Sequence, residues 1–331
     1  MEQEVTKTNN KVKRLKRILL VLAALLIIGL AALVYYLIAQ RPITTAIPGA
    51  ANPPRYVKAI YGDFGTLTGI AANKSGSKIY AVDTSNQKVW IIDKNGKVTG
   101  SFGVADGPGV TGGFQAPLYI AAGKNDELYI TDRQASRIQV FSPLGKFIKK
   151  FVPVTKEADF VWSPLGINTD AKGTIYLTDA KRGEHRVLVF EPGGKLLRSF
   201  GKEGVGEGQF NYPNGVAVEA SGRIYVADTN NARVQVFSSA GKYIRTITGT
   251  GEGGLSHPSG LSTSRKDQLH VVESFGGLVA VFSPEGELQY TFGSQGIGND
   301  QMRNPQAIAI TPDGYVYVTD MGNKRIQVWR Y

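Results

Sequence analysis

Cysteine is absent from all 331 residues, which excludes disulfides, thiolate metal ligands and a cysteine nucleophile. An exported domain of this chain must therefore be held by its core. Histidine is nearly as scarce, with only His185, His257 and His270. They occupy a turn before one apolar run, the position before Pro258 and a slot that is otherwise aromatic. Three unrelated places in the local pattern argue against one zinc site built from all three. No GxSxG elbow or HExxH helix occurs, and GTGEGG at 249–254 is followed by LSHPSGL rather than by a helix, so it lacks the setting of a dinucleotide site.

Long apolar runs are missing too, with one exception. From Ile18 to Ala39 the chain reads ILLVLAALLIIGLAALVYYLIA, about 22 residues without a charge, enough for a helix to cross roughly 30 Å of hydrocarbon and too long for a cleaved signal peptide. Lys11, Lys13, Arg14, Lys16 and Arg17 precede it, whereas the nearest cations beyond it are Arg41, Arg55 and Lys58. That asymmetry predicts a single-pass cell-membrane protein with a cytoplasmic basic tail (1–17), a transmembrane helix (18–39) and everything later outside. No small-xxx-small spacing marks the helix for dimerisation, and nothing else signals a homo-oligomer. Residues 40–54 hold four prolines among small residues and read as a semi-rigid stalk. The net charge of +11 invites a nucleic-acid partner, but the first 41 residues carry seven Lys/Arg against two Glu, leaving +6 for the rest. Anionic lipid and topology account for the basic tail.

The remainder, 55–331, repeats itself. IYAVDTSNQKVWII, LYITDRQASRIQVF, IYLTDAKRGEHRVLVF, IYVADTNNARVQVF, LHVVESFGGLVAVF and VYVTDMGNKRIQVW each join two apolar runs through an acid and a turn. The acids Asp83, Asp132, Asp179, Asp228, Glu273 and Asp320 recur every 45 to 49 residues. One full period holds four β-like runs between Gly, Asn, Pro and Ser turns, so each repeat is predicted to be a four-stranded antiparallel blade of an all-β, six-bladed propeller. The last repeat stops after its third run, and YVKAIY (56–61) resembles the fourth runs KFIKKF and KYIRTI. It is expected to complete the last blade and close the ring.

The pattern G-x-G-x-F-x-x-P-x-G-[IV], followed by [IV]-Y-V-x-D-x-x-N-x-R-[IV]-Q-V-F, resembles the NHL repeat over about residues 55 to 331. Blade 1 departs from it by lacking the proline and blade 5 by reading LHVVESFGGLVAVF. The resemblance implies a six-bladed propeller that binds partners. Related propellers include zinc lyases, lactonases with axial calcium and RNA binders. Here the innermost runs begin LTGI, PLYI, PLGI, PNGV, PSGL and PQAI, with Asn214 and Gln306 the only amides and no acid, which speaks against an axial calcium.

Five acids precede a base: Asp83 with Lys88, Asp132 with Arg137, Asp179 with Arg186, Asp228 with Arg233 and Asp320 with Arg325. Recurrence makes these structural, and a bidentate clamp on the hairpin is expected. His270 reads as a substituted core tyrosine. Trp90, standing where other blades have Gln139, Gln235 and Gln327, is either an exposed contact or a packing residue. Loops entering the innermost strands and the turns between second and third strands should share one face, carrying Trp162, Phe160, Arg182, His185, Arg133, Tyr212, His257 and Phe275, with Lys156 and Arg303 beside them. Phe160 and Trp162 alternatively fill the slot taken by Phe114, Phe210 and Met302. The function expected is a binding or scaffold module for a protein, peptide or cell-envelope glycan, with no enzyme activity, metal or cofactor. The alternatives are a metal-dependent lyase or lactonase and an RNA-binding basic face.

Overall fold

The computed structural model describes residues 52–331 except 108, 158 and 250–253, together with Lys16, Leu22, Ala23, Leu26, Gly29 and Leu30. The chain divides into two units, Met1–Ile43 and Thr44–Tyr331. In the first, the six described residues are helical. No helix among the described residues is long and apolar enough to cross a membrane. Most of the expected tail and transmembrane helix, and the stalk up to residue 51, lie outside the described residues, as does most of GTGEGG.

Among its described residues the second unit contains six four-stranded sheets. Blade 4 shows the plan, with Pro213–Val218 innermost, then Ile224–Asp228, Arg233–Phe237 and Tyr243–Ile247, each antiparallel to its neighbour. Alternation sets it up. In the second strand, Ile224 and Val226 point into the core shared with blade 3, while Tyr225 and Ala227 point into the core shared with blade 5. A period of two thus feeds two interfaces at once. A register shift follows the innermost proline in blades 2 to 6, as between Pro213 and Val216, and bends the strand as it enters the channel.

Blade 6 combines Pro305–Ile310, Tyr315–Asp320 and Arg325–Arg330 from the chain's end with Arg55–Ile60 as its outermost strand. Arg55 pairs with Arg330 and Ile60 with Ile326, so the expected ring closure is present. Among the described residues the hydrophobic core comprises six clusters, each between two neighbouring blades. The cluster between blades 6 and 1 joins Ile60, Phe64 and Ile70 to Ala309, Tyr317 and Val328. Tyr80, Tyr225 and Tyr317 are among the largest fully buried side chains, each contributing about 2 kcal/mol or more through burial. Two of the hydroxyls are paired where the ring ends: Tyr80 donates to the Pro143 carbonyl at 3.0 Å and Tyr225 to Glu219 Oε2 at 2.8 Å.

His270 takes this tyrosine slot in blade 5, as expected. It is fully buried, with Nδ1 at 3.3 Å from the Gln268 carbonyl and Nε2 against the Tyr331 hydroxyl. Burial pushes its pKa down from 6.5 to about 4.

Candidate functional site

Each acid at the end of a second strand lies opposite the start of the innermost strand: Asp83 opposite Leu67, Asp132 opposite Pro117, Asp228 opposite Pro213. The turns after the acids and the loops before the innermost strands therefore occupy one face of the ring. The acids organise it. Asp228 accepts from the Asn211 N–H at 2.6 Å, Asp320 from Arg303 N–H at 2.7 Å and Asp179 from Ser163 N–H at 2.7 Å. Asp132 takes Gln115 and Ala116 N–H, and Asp83 takes Gly65 and Thr66 N–H. In every blade the donor lies 16 to 18 residues before the acid. A buried carboxylate paired in this way holds the incoming loop against the blade.

The arginines complete the tie, though not as the expected bidentate pair. Arg233 gives Nε to Asp228 at 2.7 Å and turns Nη2 to the Gly206 and Gln209 carbonyls at 2.6 and 3.0 Å. Arg325 repeats this with Asp320, Gly298 and Gln301. Arg186 Nε meets Asp179 at 3.0 Å and reaches Val161 O, while Arg137 Nη2 meets Asp132 at 3.2 Å and Gly113 O at 2.8 Å. The acid collects loop N–H groups and the guanidinium collects loop carbonyls. The fork is divided because the loop backbone offers both kinds of group.

Blade 1 corrects the Asp83–Lys88 expectation. Asp83 is served by the Trp90 indole N–H at 3.0 Å and by Asn86 Nδ2 at 2.8 Å, while Lys88 Nζ stands 5.8 Å from the centre of the Trp90 ring. Trp90 supplies the donor that Gln235 supplies to Asp228, and its ring packs edge-on against Phe64. Burial would raise the Asp83 carboxyl, but hydrogen bonds from Gly65, Trp90 and Asn86 outweigh it and hold the pKa below the ordinary value. In blade 5, Glu273 faces Leu278 and accepts instead from Ser256 N–H and Oγ–H and from the His257 and Phe275 N–H groups.

The face also carries the side chains singled out above. Arg133, exposed in the blade 2 turn, donates Nη2 to the Tyr212 hydroxyl at 3.0 Å, with its guanidinium 5.4 Å from that ring's centre. Tyr212 in turn packs edge-on against His185 of blade 3 and donates its N–H to His185 Nδ1 at 3.3 Å. Tyr212 has φ of 53°, a left-handed conformation that is costly for an aromatic residue before proline, and is 38% exposed. His185 is 3% exposed and supports Tyr212 from below. A second group lies in blade 5: Phe275, 62% exposed, stacks on His257 at 4.4 Å, and His257 Nδ1 is buried without a hydrogen-bond partner among the described residues. Arg182, Lys156 and Arg303 are exposed.

Trp162 differs from the expectation of a surface contact. It is 8% exposed, donates its indole N–H to the Ser136 carbonyl at 2.8 Å and packs among Phe151, Phe190 and Phe160. It fills the slot of Phe114 and Phe210 from one residue further along, and Val161, in their register, is 55% exposed. Phe160 is half-buried with the Arg186 guanidinium 5.4 Å from its ring centre. The three histidines stand in separate environments, and among the described residues no three His, Asp or Glu side chains group as metal ligands. Sequence reasoning missed the loop amides, although their constant offset from the acid is a readable signal, and it missed the strain at Tyr212.

The NHL repeat family model matches residues 210–237 and 302–329, the segments that run from a loop phenylalanine or methionine through the acid and arginine to the third strand. These two segments match the NHL repeat. "Protein brain tumor" of Drosophila melanogaster is 27% identical over 129 residues, 37% of this chain but only 12% of that protein. Solved structures of the same fold include a streptogramin B lyase (15% identity, TM-score 0.59, 84% of this chain and 98% of that one). A gluconolactonase from Xanthomonas campestris aligns at 17% identity and TM-score 0.62 over 88% of this chain and 99% of its own. A chain of a nidogen/laminin complex aligns at 18% and 0.58, over 73% of this chain and 84% of its own. At these identities the likeness is one of fold.

Proposed function

We propose that this NHL propeller is a membrane-anchored, extracytoplasmic binding module that holds a protein or peptide partner on its loop face. The observation that carries the reading is the pairing of two aromatic groups on that face, Arg133–Tyr212–His185 and Phe275–His257, on loops tied down by buried carboxylates. Exposed aromatics and arginine on a pre-organised scaffold are the groups that dominate protein interfaces. The nidogen/laminin complex supports a protein partner, since a chain of that complex has this fold. The uncharged stretch from Ile18 to Ala39 and the basic residues before it support the anchor and its orientation. A cell-envelope glycan stacked on Tyr212 and Phe275 is the other ligand chemistry this face suits.

Crosslinking in intact membranes tests the reading. Partner recovery should fall sharply in the Arg133→Ala/Phe275→Ala double variant; unchanged recovery would remove this face from the site. A reporter active only in the cytoplasm, fused after Tyr331, should be silent. Elemental analysis of the purified protein decides against the enzyme alternative if zinc and calcium are substoichiometric, and stoichiometric metal would revive it.

A further inference from the structure

The third position of the innermost strand is Gly69, Gly166, Gly215, Gly260 or Ala307 in five blades and Tyr119 in blade 2. Small residues are needed there because neighbouring strands nearly touch: a Cβ on Gly166 would stand 1.9 Å from the Asn214 carbonyl oxygen, and one on Gly215 2.2 Å from that of Ser259. Tyr119 breaks the rule. Its ring packs against both the cluster between blades 6 and 1 and the cluster between blades 2 and 3.

Tyr119 also lines an axial cavity of about 330 Å³. The cavity wall begins at the level of Tyr119, Gly166, Gly215, Gly260 and Ala307 and runs along the innermost strands to Lys74 and Pro312, in turns on the face opposite the candidate site. No residue from the first two positions of those strands belongs to it. The cavity therefore lies toward the face opposite the candidate site, with Lys74 at that end.

The lining has a definite chemistry. Tyr119 brings a phenol, Asn168 an amide, Ser262 a hydroxyl and Lys74 an ammonium group, and the wall contains no Asp or Glu. Burial pushes the Tyr119 pKa up, so its hydroxyl stays protonated and able to donate. Innermost strands pair on one side only, so their free edges add backbone N–H and C=O groups around the axis. Room for about ten waters suffices for a solute of a few carbon atoms.

We propose that this pocket binds a small hydroxylated oxyanion, a short hydroxycarboxylate or phosphate ester, with its charge at Lys74 and its oxygens on Tyr119, Asn168 and Ser262. The site is separate from the loop face and does not depend on the function proposed for it.

Isothermal titration of the full-length protein in detergent, with glycerate and with inorganic phosphate as probes, tests this. Saturable 1:1 binding is expected, weakened about tenfold by Lys74→Ala, which removes a charged partner, and about fivefold by Tyr119→Phe, which removes a neutral donor. Lys74 is exposed, so its replacement should leave the thermal midpoint unchanged. Binding of phosphate but not glycerate would place a bare phosphate there and uphold the oxyanion site. No heat from either probe up to about 50 mM, or binding indifferent to both substitutions, would overturn it.

Discussion

At the scale of single residues, the fully buried carboxylate of Asp228 shows how the loop face is held. It binds a loop amide, the Asn231 and Gln235 side chains and Arg233, while Arg233 binds two loop carbonyls. Removing Arg233 leaves a buried charge and two carbonyls short of a donor, so Arg233→Ala should cost about 3 kcal/mol and lower the thermal midpoint. Calorimetry checks this, and an unchanged midpoint would argue against the tie. In blade 1, Trp90→Phe keeps the ring beside Phe64 but removes a donor from Asp83, with an expected loss of about 1–3 kcal/mol in denaturant unfolding. His270 makes stability pH-dependent. The unfolded chain takes up a proton near pH 6.5 that the folded chain refuses until about pH 4, so stability falls as pH drops through that window and levels off below it. The loss approaches about 3 kcal/mol and should be absent in His270→Phe, as urea titrations at several pH values will show. Asp83, with its depressed pKa, adds a separate loss that begins only as pH falls below the ordinary aspartate value. The partners of the acids were half legible: an Asp and an Arg five residues apart announce a pair, but a loop amide carries no letter of its own. Trp162 was left between a surface and a packing role for a related reason. Its offset from the Phe114 and Phe210 slot is one residue, and only backbone direction decides whether Val161 or Trp162 turns inward.

At the scale of the element, alternating strands, turn residues and a constant period made the blades readable from end to end. YVKAIY could be assigned to the last blade because an outermost strand alternates in the same way wherever it comes from in the chain. The bulge after each innermost proline was not readable, since it arises from packing neighbouring blades around the axis. Tyr119 went unremarked in PLYI because nothing in the letters says that this position faces its neighbours across a gap too small for a Cβ. Ring closure gives a direct prediction: deleting Arg55–Ile60 leaves the Arg325–Arg330 strand with an open edge and uncovers Trp329. The truncated protein should unfold at lower temperature and self-associate in sedimentation, whereas a monomer with unchanged melting would deny that strand its closing role.

At the scale of the whole molecule, six blades place two kinds of surface at opposite ends of one axis. The loop face has strained and stacked aromatics beside arginines on tied loops. The opposite face has short turns and the Lys74 end of a polar cavity. The repeat spends most of its residues on the interfaces between blades, so the candidate site was legible only as departures from it, in the longer turn that carries His185 and in the base-free blade that carries Phe275. The account's central claim is that partners bind on the loop face. A photoreactive amino acid placed in the full-length chain at Phe275 or Arg182 on that face, and at Asn125 or Ala171 on the opposite one, tests it in native membranes. The account predicts a discrete crosslinked species from positions 275 and 182 and none from 125 and 171. Adducts from the opposite face alone, or equally from both faces, would contradict it.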